Sequence, residues 1–127
     1  DLEDILYEIT SEAHFSAAHR LLNYDGPCEN LHGHNWQVKA SVKCSELDSA
    51  GIGIDFKVLR NHLKEIVKQF DHKDLNVVLK QENLNPSSEN LARYIFQRLK
   101  GKLEGSGCMV SRLEICETPG NCAAYYE

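Results

Sequence analysis

Two histidines, His32 and His34, stand two residues apart in the run Cys28-Glu29-Asn30-Leu31-His32-Gly33-His34-Asn35-Trp36. In an extended backbone successive side chains alternate faces, so both imidazoles point to one side and can share a metal ion. Zinc suits such a pair: it binds imidazole nitrogen at about 2.0–2.1 Å and takes a third or fourth ligand. The best third candidate is His19, in His14-Phe15-Ser16-Ala17-Ala18-His19-Arg20. If that run is also extended, Phe15, Ala17 and His19 share a face, and two adjacent strands bring His19 beside the pair. Gly33 adds no bulk and lets another group approach closely. A His-x-His spacing alone is a weak signal. Other groups strengthen it: the thiol of Cys28 nearby, the polar cluster Asp71-His72, and Glu117 at the end of an apolar face. His14 and His62 read as ordinary surface or half-buried histidines.

The elements that must hold these groups follow from periodicity. Ile5, Tyr7 and Ile9 alternate with other residues, and a first strand is expected from about Leu6 to His19. Leu21 to Leu31, with Asn23, Asp25, Gly26 and Pro27, reads as a loop that carries Cys28 at its end. From His34 to Lys43 the alternation is clear. His34, Trp36, Val38, Ala40 and Val42 fall on one side and Asn35, Gln37, Lys39, Ser41 and Lys43 on the other, the pattern of a strand with one wet face. Asp55 can cap a helix whose apolar stripe is Phe56, Leu59, Leu63, Ile66, Val67 and Phe70. A second helix starts around Asn85-Pro86-Ser87-Ser88-Glu89, with Leu91, Tyr94, Ile95 and Leu99 facing inward. Met109 to Glu117 is a strand with Met109, Ser111, Leu113, Ile115 and Glu117 on one face. After a turn at Thr118-Pro119-Gly120-Asn121, a short last strand runs from Cys122 to Glu127. The order β-β-α-α-β-β implies an α+β domain with both helices on one side of an antiparallel sheet.

The 127 residues suit one domain, 1–127, and 42% hydrophobic content suits a globular one. A net charge of −5 argues against nucleic acid as a partner. No apolar run reaches the length of a membrane span, and the opening Asp1-Leu2-Glu3-Asp4 is acidic where a signal peptide would be basic. The five cysteines are odd in number and lack Cys-x-x-Cys spacing, so a disulfide framework is not expected and a reducing, cytoplasmic setting fits better.

Five stretches together resemble the 6-pyruvoyltetrahydropterin synthase / 6-carboxytetrahydropterin synthase family. They are Phe15 to Leu21, Cys28 to Asn35, Phe70-Asp71-His72-Lys73-Asp74-Leu75-Asn76, Asn85 to Asn90, and Glu114-Ile115-Cys116-Glu117-Thr118. The resemblance implies the tunnelling fold, in which trimers close four-stranded sheets into a barrel, two trimers stack into a hexamer, and active sites lie between subunits. It implies that His19, His32 and His34 are zinc ligands, that Cys28 is the catalytic thiol, and that Asp71 and His72 relay protons. Glu117 is then the pterin anchor, since a carboxylate can accept the ring's 2-amino and N3–H donors in a fork. Ser87 and Ser88 stand where members often have Thr-Ser and are expected to touch substrate. Trp36 stands where Tyr or Phe is expected.

The implied substrate is 7,8-dihydroneopterin triphosphate. A zinc with three histidines and an open position can bind its side-chain oxygens as a Lewis acid. A Cys28 thiolate can take a proton and His72, oriented by Asp71, can relay it. The Cys-x3-His-Gly-His spacing resembles the branch that forms 6-carboxy-5,6,7,8-tetrahydropterin for queuosine and other deazapurines. Glu29 directly after Cys28 resembles members that also release 6-hydroxymethyl-7,8-dihydropterin for folate synthesis. Alternatives are the 6-pyruvoyl branch, serving tetrahydrobiopterin, and a closed zinc site in a non-enzymatic interaction module.

Overall fold

The computed structural model describes residues 7–22 and 30–127. Strand β1 (Tyr7–His19) and strand β2 (His32–Cys44) run antiparallel in unbroken register from Tyr7 opposite Cys44 to His19 opposite His32. Alternation decides their faces. Ala13, Phe15, Ala17 and His19 of β1 are buried, as are Trp36, Val38, Ala40, Val42 and Cys44 of β2. The opposite face is polar, and Gln37 there donates to Glu12 at 2.8 Å.

Helix α1 (Phe56–Val67) begins where Asp55 accepts from the Lys57 N–H at 2.7 Å, and it buries Leu59, Leu63, Ile66 and Val67. Phe56, expected in that stripe, is instead 60% exposed at the first turn. The chain then adds two short pieces that periodicity did not announce. Strand β3 (Lys73–Asp74) lies parallel to β1 at Ala17 and Ala18, and the single-turn helix α2 (Leu75–Val78) is capped by Asp74. Two-residue strands and one-turn helices are too short to leave a period. Helix α3 (Ser88–Lys102) buries Leu91, Ala92, Ile95, Phe96 and Leu99.

Strand β4 (Cys108–Thr118) pairs antiparallel with β2, and β5 (Asn121–Tyr126) with β4. The sheet order is β3-β1-β2-β4-β5, five strands where the family likeness implied four, the extra one being β3. Helices α1 and α3 share one core with the apolar face of the sheet. Each fully buried leucine or phenylalanine there, such as Leu63, Phe70, Phe96 or Leu99, contributes about 1.5–3 kcal/mol.

Two expectations are corrected. The face of β4 was read as Met109, Ser111, Leu113, but a bulge between Ser41 and Val42 pairs Val42 with Val110 and Ser41 with Arg112. The extra residue shifts the alternation, so Val110 is buried while Met109 is 56% exposed. The cysteines do pair: Cys44 with Cys108 between β2 and β4, and Cys116 with Cys122 between β4 and β5. Both pairs face each other across neighbouring strands, with Cα atoms 4.5 and 4.0 Å apart. Cross-strand register, absent from linear spacing, brings them together. Cys28 lies outside the described residues, and the argument for a reducing compartment from unpaired cysteines falls. Among the described residues no helix is long and apolar enough to cross a membrane.

Candidate metal centre and active site

The register of β1 and β2 sets His19 directly across from His32, and Ala17 across from His34. All three imidazoles lie on the helix-side face at one end of the sheet. Their ring centroids are 4.6 Å (His19–His32), 4.8 Å (His32–His34) and 5.4 Å (His19–His34) apart. Glu117, near the end of β4, completes a group whose ligand atoms all lie within 4.8 Å of one another. The three histidines that spacing suggested therefore converge, and Glu117 joins them.

Each ring is aimed by neighbours. His19 Nδ1 is 2.7 Å from the Pro86 carbonyl, and His32 Nδ1 is 2.7 Å from the Asn30 carbonyl. A carbonyl only accepts, so in both rings Nδ1 carries the proton and Nε2 keeps its lone pair, as in a metal-ligating histidine. Trp36, fully buried, stands edge-on to His19 at 4.9 Å and to His34 at 5.5 Å, and its Nε1–H donates to the Ala17 carbonyl at 3.1 Å. It acts as a wall for two of the rings. Gly33 was expected to admit a close neighbour, yet a Cβ there would meet only the Ala17 carbonyl oxygen, at 3.9 Å. Among the described residues nothing crowds it.

The donor set was tested against a cation by its unpaired atoms. His19 Nε2 and His34 Nε2 are buried and have no hydrogen-bond partner among the described residues, although buried polar nitrogens are seldom left so. The nearest charged atom to both is Glu117 Oε2, 3.6 Å from His19 and 3.4 Å from His34. Burial holds the His19 imidazole below its ordinary pKa of 6.5, so a proton does not readily fill the gap. A lone pair facing a carboxylate is unfavourable unless a cation lies between, and the residues fit a metal ion.

Asp71 and His72 lie beside β1. The Ser16 N–H donates to Asp71 Oδ1 at 2.9 Å, and this contact, with His72 alongside, holds the Asp71 carboxyl below the usual range. His72 Nδ1 is 3.1 Å from Asp71 Oδ1, the oriented pair that the sequence suggested. His72 adopts a left-handed backbone, φ 59°, fixed by its own N–H donating to the Ser16 carbonyl at 2.6 Å. A bulky residue there is strained, and such strain concentrates at functional sites. His72 and His34 line one hollow of about 560 Å3, with Ser16, Gly33, Asn35 and Lys73 also on its wall.

Ser87 accepts from the Asn90 N–H at 3.2 Å as the cap of α3, a structural task that its expected substrate contact did not include; Ser88 begins the helix. Cys28 and Glu29 lie outside the described residues. Sequence reasoning also missed two asparagines that hold the chain just after His19. Asn76 accepts from the Arg20 N–H at 2.9 Å and donates to the Arg20 carbonyl at 3.0 Å, and Asn85 does the same for Leu22 at 2.9 and 3.1 Å. Each side-chain amide acts as a one-residue strand. Their signal was available, since both sit in the quoted motifs beside Asp74-Leu75 and Pro86.

A family described as 6-pyruvoyl tetrahydropterin synthase matches residues 8–127. The chain is 35% identical over 127 residues to the 6-carboxy-5,6,7,8-tetrahydropterin synthase of Synechocystis sp., covering 95% of this chain and 94% of that one. It is 29% identical to the enzyme of the same name from Rickettsia felis, with 92% and 97% covered. The solved 6-pyruvoyl tetrahydropterin synthase of Caenorhabditis elegans superposes with a TM-score of 0.80 at 29% identity, covering 97% of this chain and 98% of that one. On the family match over residues 8–127 and the 35% identity to the Synechocystis enzyme, the chain belongs to the 6-pyruvoyl tetrahydropterin synthase family of pterin-processing, lyase-type enzymes.

Proposed function

We propose that this protein converts 7,8-dihydroneopterin triphosphate to 6-carboxy-5,6,7,8-tetrahydropterin with a zinc ion held by His19, His32 and His34. The observation that carries this reading is the convergence of three imidazoles with two orphaned Nε2 atoms in a chain of this family. The name of the Synechocystis relative supports the carboxy branch. Family membership sets the interaction-module alternative aside.

When bound, zinc supplies Lewis-acid polarisation of a substrate oxygen. The protein's own groups do the rest. Cys28 takes a proton from the substrate side chain as a thiolate. His72 receives or returns protons from the hollow that it shares with His34, and Asp71 fixes its orientation through the 3.1 Å contact. Glu117 accepts the pterin's paired N–H donors. Ser87 and Ser88 sit at the N-terminus of α3, whose free N–H groups favour an anionic or polar substrate group.

Glu29 supports a second product, 6-hydroxymethyl-7,8-dihydropterin, because a carboxylate directly after the thiol offers a different base to the same side chain. The proposal treats residues 1–127 as one domain. It includes a hexamer of two stacked trimers, in which partner chains cover the edge of β5 and the part of the β1 edge that the two-residue β3 leaves unpaired. It includes a cytoplasmic setting as well, where thiol titration of freshly isolated protein decides whether the two cysteine pairs stand reduced. The deciding experiment is mass spectrometry of products from dihydroneopterin triphosphate with wild type, Cys28→Ala and Glu29→Ala. The carboxy product should vanish in Cys28→Ala, and any hydroxymethyl product should vanish in Glu29→Ala. A wild type that releases only the 6-pyruvoyl product assigns the protein to the other branch.

A further inference from the structure

We propose that Glu117 is itself a metal ligand in the substrate-free enzyme and leaves the metal when a pterin ring arrives. This rests on the metal-site reading above and goes beyond it, because that reading gives Glu117 to the pterin alone. In a tetrahedral site with zinc bonds of about 2.0–2.2 Å, neighbouring ligand atoms stand about 3.3–3.5 Å apart. Glu117 Oε2 is 3.4 Å from His34 Nε2 and 3.6 Å from His19 Nε2. Those separations are too long for hydrogen bonds of ordinary strength and match the edges of a coordination tetrahedron. Both nitrogens are buried and have no hydrogen-bond partner among the described residues. The carboxylate thus occupies the fourth corner of the site formed with His32.

The backbone around Glu117 makes this placement firm. Cys116, its neighbour on β4, is bonded to Cys122 on β5. The two strands pair again at Thr118 opposite Asn121, with the register shifting between, so Glu117 sits in an irregular step of the ladder. Its Cα is stapled on both sides while its side chain, 31% exposed, retains a path toward solvent. Tight anchoring at Cα with a free carboxylate is what an exchanging ligand needs.

Exchange follows from coordination number and direction. A catalytic zinc needs an open position, and three imidazoles with a carboxylate close all four. A fork of two ring donors takes the forward edge of the carboxylate, and here Oε2 on that edge is turned toward the His19 and His34 nitrogens, so the carboxylate must turn away from them to meet the ring. Pterin binding at Glu117 therefore vacates the fourth corner, and the metal is opened only when the ring is in place. By linkage, a pterin that supplies no side-chain oxygen should bind less tightly to the metal-loaded protein than to the metal-free one.

The test uses cobalt(II) as a spectroscopic stand-in for zinc in the full chain, with wild type, Glu117→Gln and Glu117→Ala, and unsubstituted pterin as the probe. Metal affinity is read by chelator competition and coordination by the visible cobalt bands. Expected results are a 10–100-fold loss of affinity in Glu117→Ala with changed bands, and bands of pterin-saturated wild type that move toward those of Glu117→Ala. A carboxylate acting only through space would weaken affinity in both variants yet leave the bands in place, and that result overturns the inference. So does a wild-type spectrum indifferent to saturating pterin. Wild type that takes up no stoichiometric cobalt or zinc defeats the metal-site reading itself, which is a different outcome. Glu117→Gln, nearly the same shape, serves if Glu117→Ala fails to fold.

Discussion

The two ends of β2 are built for opposite purposes. At the Cys44 end the strand is packed and covalently tied. Val42 and Cys44 are fully buried, Cys44 is bonded to Cys108, and Gly53 lies so close that a Cβ there would sit 2.9 Å from Cys44 Cβ. At the His32–His34 end, the opposite end of the same thirteen-residue strand, the demand is left open. Among the described residues, the buried His19 and His34 nitrogens lack hydrogen-bond partners, a carboxylate faces them, and nothing comes closer than 3.9 Å to a Cβ at Gly33. One end gathers packing and covalent restraint. The other holds unsatisfied polar groups in place, which is tolerable because the first end and the helices stabilise the strand.

The largest expected effect breaks the open end. His34→Ala should abolish stoichiometric metal binding in an isothermal titration while the metal-free protein melts no lower, since the change removes a buried nitrogen that has no partner. A clear drop in the metal-free melting temperature would show that His34 packs rather than waits for a ligand. Next come the clasps. From loop-closure entropy, the Cys44–Cys108 bond, with separation 64, is worth about 4 kcal/mol, and Cys116–Cys122, with separation 6, about 2 kcal/mol. Urea unfolding of the two double-alanine variants should preserve that order. The reverse order would place more of the stability at the Glu117 end than the comparison allows.

A pair of glycines sharpens the contrast at smaller scale. Gly53→Ala forces a Cβ into Cys44 and Ile9 and should cost about 1–3 kcal/mol. Gly33→Ala meets only ordinary contact and should change unfolding by less than about 0.5 kcal/mol. Equal losses at both would erase the difference between the ends. The smallest effect is a pH dependence at the open end. Burial depresses the folded-state pKa of His19 below 6.5. The unfolded chain therefore binds more protons between the two values, and the contribution of His19 is fully present above about pH 6.5. It is lost as pH falls through the depressed folded value. Metal-free wild type should lose stability on that limb relative to His19→Gln, and parallel curves for the two would remove His19 as the source.

Much of this was legible along the chain because it is local. The alternation from Trp36 to Val42 marks the buried face of β2, and the His-x-His at its start must share that face. Asp55 stands before an apolar stripe and caps a helix; Ser87 does the same for α3. Glu117 could be set on the face of Leu113 and Ile115 by counting in twos. The reading slipped where one distant residue altered the count. The bulge opposite Ser41 and Val42 put Val110 rather than Met109 in the core, and nothing in residues 108–112 announces it.

The sequence by itself determined which groups were available and which faces they took, because periods of two and 3.6 are properties of the local backbone. It also carried the family motifs, which tied His19, His32 and His34 to one another across the intervening residues. Only the tertiary structure decided the pairings. Cross-strand register joined Cys44 to Cys108 and Cys116 to Cys122, the loop before α3 turned the Pro86 carbonyl onto His19, and the end of β4 carried the Glu117 carboxylate to 3.4 Å from His34. Those contacts join residues far apart in the chain. Their partners are chosen by how the strands and helices share one core, which no local spacing records.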